Sequence, residues 1–254
     1  MSHFIKPDSI DSYVSGICNQ LEPFFPDICL HCKAPLVKCT MTGCKRMYGS
    51  PWRHQRALTT VDLETVLAYY PTPSHDDLLF CTLLLTGFFA LMRLGKLTDA
   101  DSLKLYDPCK TIHHSSVESS KMSYSLFLSG HKGDRFFDGN TIIIPKNDKS
   151  YDPHSCFLQY LSSCDQKFPL LSPLWLRDDG GIPTRSWFTC RLRHFFNSSV
   201  SGHSMRAGGV TLLAELGTLP HLIQAIGRWK SDAFEAYIRK HPVLIQALLF
   251  GHSV

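Results

Sequence analysis

A mainly α-helical fold with one small antiparallel β-sheet (α+β) is what this sequence predicts. Helical periodicity runs along most of the chain. It yields to strand-like patterning only over residues 111–145. A polar, basic stretch near residue 51 divides a short helical piece from a longer one. The composition suits a globular fold, since 254 residues at 44% hydrophobic and 19% charged can bury a sizeable core.

Taken in order, residues 8–22 read as a first helix, with Asp8 as its cap and Ile10, Tyr13, Val14, Ile17 and Leu21 at helical spacing. Pro23 and Pro26 end it. A second helix is expected over 35–47, broken by Gly49-Ser50-Pro51. Residues 51–59 read as a linker. Helices are then expected over 61–70 and, after the Pro71–Pro73 break, over 76–92. The segments 122–129 and 141–145 read as strands flanking the turn-rich stretch 131–140, with 111–118 as a third strand. Helical patterning returns over 186–197, 204–216, 219–226 and 233–250. The expected organisation is a helical piece over 1–50, a linker over 51–59 and one main domain over 60–254.

Global charge is uninformative, because the formal net charge is only +4. Its distribution says more. Over residues 185–240, Arg185, Arg191, Arg193, Arg206, Arg228, Lys230, Arg239 and Lys240 face only Glu215, Asp232 and Glu235. A local basic excess suits a polyanion, although a solvated charged surface has the same composition. No apolar run reaches the roughly eighteen residues that a membrane-spanning helix needs, and the N-terminus lacks signal-peptide form, so no membrane partner is expected. The ten cysteines are then expected as reduced thiols.

Four groups of residues could carry chemistry. In His203-Ser204-Met205-Arg206 the spacing puts His203 and Arg206 on one helix face, where an arginine fork can hold two phosphate oxygens and a histidine can move a proton. In Gly227-Arg228-Trp229, followed by Tyr237, the indole N–H can donate to a phosphate and the phenol can act as a nucleophile; both aromatics also read as core. Arg93 directly follows the apolar 76–92 helix, at a rim or pocket, or as a cation capping the helix end. Lys132 lies in the turn between the two strands, where a lysine can reach into a groove or simply face solvent.

The order Arg93, Lys132, His203-x-x-Arg206, Trp229, Tyr237 resembles the catalytic domain of the tyrosine recombinase (phage integrase) family. The wording HSMRAGGVTLLAELG and IQAIGRWKSDAFEAYIRKHP resembles recombinases of eukaryotic Crypton-type and DIRS-type mobile elements, fungal copies especially. The resemblance covers nearly the whole chain. It implies the DNA breaking-rejoining catalytic fold preceded by a truncated helical core-binding (SAM-like) domain. It also implies a site-specific recombinase or integrase working through a 3′-phosphotyrosyl intermediate. In that reading Tyr237 attacks phosphorus, and Arg93 and Arg206 grip its oxygens. Lys132 protonates the leaving 5′-oxygen, His203 assists proton transfer, and Trp229 hydrogen-bonds the phosphate. Arg185, Arg191, Arg193, Arg228, Lys230, Lys45 and Arg46 are expected to bind double-stranded DNA. The resemblance further implies a tetramer on DNA, a monomer without it, a nuclear location, and neither cofactor nor metal.

Three features depart from the family's pattern, of which the eight-residue interval from Trp229 to Tyr237 is shared by the eukaryotic elements that the chain resembles and carries no weight. Lys96 stands one helical turn after Arg93, where the family has an acid that supports the arginine, and a like charge there is expected to repel it. The N-terminal piece is short, and residues 28–56 hold Cys, His, Trp and Gln where relatives are arginine-rich. Cys29-x2-Cys32 with Cys39 and Cys44 suggests zinc, but the second pair is irregularly spaced on a helical pattern, so no metal is expected. A catalytically impaired DNA-binding remnant is therefore the alternative function.

Overall fold

The computed structural model describes residues 6–49, 55–128 and 139–229. The chain forms two compact units, Met1–Arg53 and His54–Val254.

The first unit holds helices α1 (Ile10–Leu21), α2 (Ile28–Cys32) and α3 (Pro35–Tyr48). Asp8 falls in a 3-10 turn, Pro7–Ser9, so α1 starts after it, with Ser9 at the cap position and no side-chain capping bond. The helical stripe on α1 forms as the spacing predicts, yet Tyr13 and Ile17 are exposed. Cys18 is the buried hydrophobic residue of α1, and its thiol lies 3.0 Å from that of Cys32. That neighbour and burial push the Cys18 thiol up to about 11. Among the described residues no group of three or more His, Cys, Asp or Glu side chains could hold a metal ion, and no helix is long and apolar enough to cross a membrane.

The second unit is built around α5 (His75–Phe89), which is apolar nearly all round. Leu79, Phe80, Leu83, Leu84 and Leu85 have no exposed surface, so this is a central helix rather than an amphipathic one. Its start is fixed by a capping box between Ser74 and Asp77. Before it, α4 (Thr60–Ala68) is capped in the same way by Thr59 and Asp62. Residues 55–59, the described part of the expected linker, lie outside any helix or strand. Leu58 is 2% exposed, its N–H donates to the Ser204 carbonyl, and the Arg56 N–H donates to that of Ser199.

Three strands, β1 (Val117–Ser119), β2 (Ser123–Leu128) and β3 (Asn140–Pro145), form an antiparallel sheet in the order β1-β2-β3. The register pairs Tyr124 with Ile144 and Leu126 with Ile142. These four side chains are buried while Phe127 and Ile143 are exposed, the alternation of a half-covered sheet. Most of the expected third strand is absent. His114–Ser116 forms a 3-10 turn, His113 makes an isolated bridge to Pro173, and the strand begins only at Val117.

The helix α7 (Pro153–Lys167) was not expected from the sequence. It packs on α5 and on the sheet through Phe157 and Tyr160. The Phe157 ring stacks on Tyr124 at 4.0 Å, and the Tyr124 hydroxyl hydrogen-bonds Thr86 of α5 at 2.8 Å. The remaining helices are a short α6 (Leu94–Leu97), α8 (Arg185–Phe195), α9 (Gly202–Glu215) and α10 (Pro220–Gly227). The expected helix over 233–250 lies outside the described residues.

A cationic cleft at the ends of α5, α9 and α10

Arg206 sits in the second turn of α9 and is 3% exposed. Helix α9 is held close to α5 by Gly209 and to the segment before α4 by Gly208. A Cβ on Gly209 would lie 2.1 Å from the Phe88 carbonyl oxygen, and one on Gly208 would lie 2.2 Å from that of Leu58. Only glycine lets these backbones meet. The start of α9 is set by Ser201, whose hydroxyl accepts from the His203 N–H while its own N–H donates to Ser204.

The segment Gly227-Arg228-Trp229 clamps Arg206. Helix α10 ends with Arg228 in the left-handed region, at φ 54° and ψ 47°. The chain therefore turns back, and the Trp229 ring folds over Gly227, where a Cβ would lie 1.5 Å from Cζ3. The Arg206 guanidinium stacks on that ring at 4.0 Å and donates through Nη2 to the Gly227 carbonyl. Trp229 itself is 9% exposed and packs with Leu91, Val210, Ala214 and Ile223. Its ring thus serves as a platform for Arg206, a role that its spacing alone did not reveal.

These elements border a cleft lined by Leu91, Met92, Arg93, Lys96, Leu128, Asn140, Arg206, Gly227 and Arg228. Arg93 is exposed, at the start of α6 rather than at the end of the long helix, because α5 stops at Phe89 and Leu91 turns the chain with a φ of 50°. Arg228 donates through Nη2 to the Ala90 carbonyl at 2.7 Å, which ties the end of α10 to the end of α5. Burial, and then the neighbouring Arg93, pull the Arg228 guanidinium down to about 10, still charged at neutral pH. Lys96 lines the same cleft. Burial, then Lys110 and Arg93, hold its ammonium below the usual lysine range. Among the described residues the lining includes no carboxylate, although the nearby Asp107 partly offsets these effects on Lys96. Such a cleft can bind an anion with several hydrogen-bonding oxygens, and phosphate matches that need.

Of the residues singled out from the sequence, Arg93, Arg206 and Arg228 converge here, with Trp229 beneath Arg206. His203 lies one turn before Arg206 on α9 and is exposed, but it does not line the cleft. Arg185, at the start of α8, places its guanidinium against Gly95, within 2.4 Å of where a Cβ would be. Arg193 is exposed on the last turn of α8. Arg191 is not free for a ligand. Its Nη1 donates to Asp77 at 2.6 Å and its guanidinium stacks over Trp187 at 4.9 Å, joining α8 to the start of α5. In the first unit Arg46 is exposed, while Lys45 is committed to an ion pair with Asp11. Lys132, Lys230 and Tyr237 lie outside the described residues. Leu128 and Asn140, the two strand ends nearest Lys132 in the chain, both line the cleft. Asn140 was missed in the sequence, where one polar residue after a glycine carries no signal.

No protein-family model matches the chain, and no curated protein does. Solved structures do resemble it. The XerA recombinase superposes with a TM-score of 0.58 at 14% identity, over 98% of this chain and 84% of that one. The Tn1549 transposon integrase, solved with circular intermediate DNA, gives 0.58 at 12% identity, over 97% and 80%. The XerH site-specific recombinase on its palindromic difH substrate gives 0.56 at 14% identity, over 82% of this chain, which spans 55% of that protein. The mainly helical second unit with its three-stranded sheet is therefore the tyrosine recombinase catalytic fold.

Proposed function

We propose that this chain cuts and rejoins double-stranded DNA as a site-specific tyrosine recombinase of a mobile element. The observation that carries the reading is the convergence of Arg93, Arg206 and Arg228 on one cleft in this fold. Arg93 and Arg206 bind the non-bridging oxygens of the scissile phosphate. Their charge is greatest in effect at the transition state, where negative charge builds on those oxygens; loss of one such donor typically costs about 10²–10³ in rate. Tyr237 attacks phosphorus to form a 3′-phosphotyrosyl bond, and the 5′-oxygen leaves with a proton from Lys132. The bond energy is conserved in the phosphotyrosine, so the free 5′-hydroxyl of a partner strand can attack it and rejoin the DNA. His203 moves a proton at the tyrosine. The wording of residues 203–242 supports an origin in Crypton-type or DIRS-type elements, with a nuclear location and a tetramer assembled on DNA.

A duplex nicked near the cleavage site tests this directly. It traps a covalent adduct, because the short fragment diffuses away before religation. The expected result is a shifted protein–DNA band under denaturing conditions, lost in Tyr237→Phe. Binding to the terminal DNA of the parent element without any adduct would leave a DNA-binding remnant as the function.

A further inference from the structure

The sequence casts Lys96 as a defect, a like charge that repels Arg93. The structure gives it a position that matters more than its distance from Arg93. Its backbone N–H donates to the Arg93 carbonyl at 2.8 Å, so the two residues open a single turn together. That turn is pinned on its far side. Leu97 is 2% exposed, the Thr98 hydroxyl donates to the Leu94 carbonyl at 3.0 Å, and the Asp99 carbonyl accepts from the Arg185 N–H at 3.1 Å. Lys96 is therefore delivered by the main chain to the cleft wall beside Arg93, Arg206 and Arg228. Lys96 is half-buried there.

We infer that Lys96 contacts a backbone phosphate of the bound DNA strand, as a further binding residue of this cleft. This rests on the reading of the cleft as a phosphodiester site. Like charges gathered in one cleft repel one another while it is empty, and an anion reverses the sign of that contribution. Burial and the charges of Lys110 and Arg93, which outweigh the opposite pull of Asp107 and make protonated Lys96 costly, become the setting in which a phosphate binds it well. The guanidiniums of Arg206 and Arg228 are fixed forks oriented by carbonyl bonds, and an ammonium complements them as a compact charge with three donors.

The test is duplex binding by the full chain in a Tyr237→Phe background, so that it is independent of cleavage, with affinity followed from about 50 to 200 mM salt. Each phosphate contact adds about 0.9 to the slope of log affinity against log salt concentration. Lys96→Gln is expected to lower that slope by about 0.9, so that its affinity falls ~3.5-fold less than the parent's over this range. Lys96→Arg should keep the parent slope, and thermal melting of each variant checks the fold. An unchanged slope in Lys96→Gln, or tighter binding by Lys96→Glu, would overturn the inference. The two readings fail separately. An adduct at Tyr237 with no Lys96 dependence sinks only this one, and a Lys96-dependent slope without any adduct sinks only the recombinase.

Discussion

Replacing Gly209 with alanine sets two effects of opposite sign against each other. In a helix interior the change should stabilise by about 1 kcal/mol, because glycine is the poorer helix former. At this site the new methyl would lie 2.1 Å from the Phe88 carbonyl oxygen and 2.5 Å from a Leu91 methyl. An ordinary C···O contact needs more than an ångström beyond that, and a helix carbonyl cannot rotate aside as a side chain can. The helices must separate, and such overpacking costs about 1–3 kcal/mol. With backbone as the obstacle we expect the upper end, for a net loss of about 2 kcal/mol. For a unit of this size that is a fall of roughly 4–8 °C in melting temperature. Gly43, in the middle of α3, has nothing within 4 Å of its Cβ position, so Gly43→Ala is the control and should stabilise its unit. Urea unfolding of both variants, followed by circular dichroism, measures the difference. A Gly209→Ala protein as stable as its parent would refute the claim that backbone contact sets the gap between α5 and α9.

Three further results are expected. Trp229→Ala should cost about 3–5 kcal/mol in chemical denaturation, because it empties the cluster of Leu91, Val210, Ala214 and Ile223 and removes the surface under Arg206; a cost below about 1 kcal/mol would show the ring to be peripheral. Burial alone would raise the Asp77 carboxyl, but hydrogen bonds from Ser74 and Arg191 outweigh it and hold the group below the usual carboxylate range. The stability it adds is complete above the unfolded value, near pH 4, and is lost as the pH falls further, so Asp77→Asn should flatten the acid limb of a stability–pH curve. Its partner variant, Arg191→Gln, should lower stability while leaving the salt slope of DNA binding unchanged; a reduced slope would return Arg191 to the DNA-facing set.

Much of the architecture was legible because its signals are local. Helix α5 is a long apolar run behind a serine, and the alternation in β2 and β3 follows directly from a half-covered sheet. Helix α7 escaped notice because its apolar residues are sparse and mixed with Ser, Cys and Gln, although Asp152-Pro153 is a start signal that could have exposed it. The turn α6 is too short to show any period. In the cleft, residue types and order pointed to Arg93 and Arg206. What they could not show is support. That Arg206 rests on Trp229, and that Arg191 answers to Asp77, depends on contacts between residues far apart in the chain.

The two non-glycine residues with positive φ, among those described, are Leu91 and Arg228, and both line the cleft. Glycine would occupy either position without the penalty of roughly 1 kcal/mol that a side chain incurs there. Mutation offers that relief constantly, so a chain that retains leucine and arginine at these points is using the side chains. Leu91 is wholly buried beside Trp229, and Arg228 reaches across to Ala90. A single sequence carries no record of what its relatives preserved. Backbone torsions that disfavour the residues occupying them supply a substitute, and here they mark two side chains whose tertiary contacts outweigh local strain.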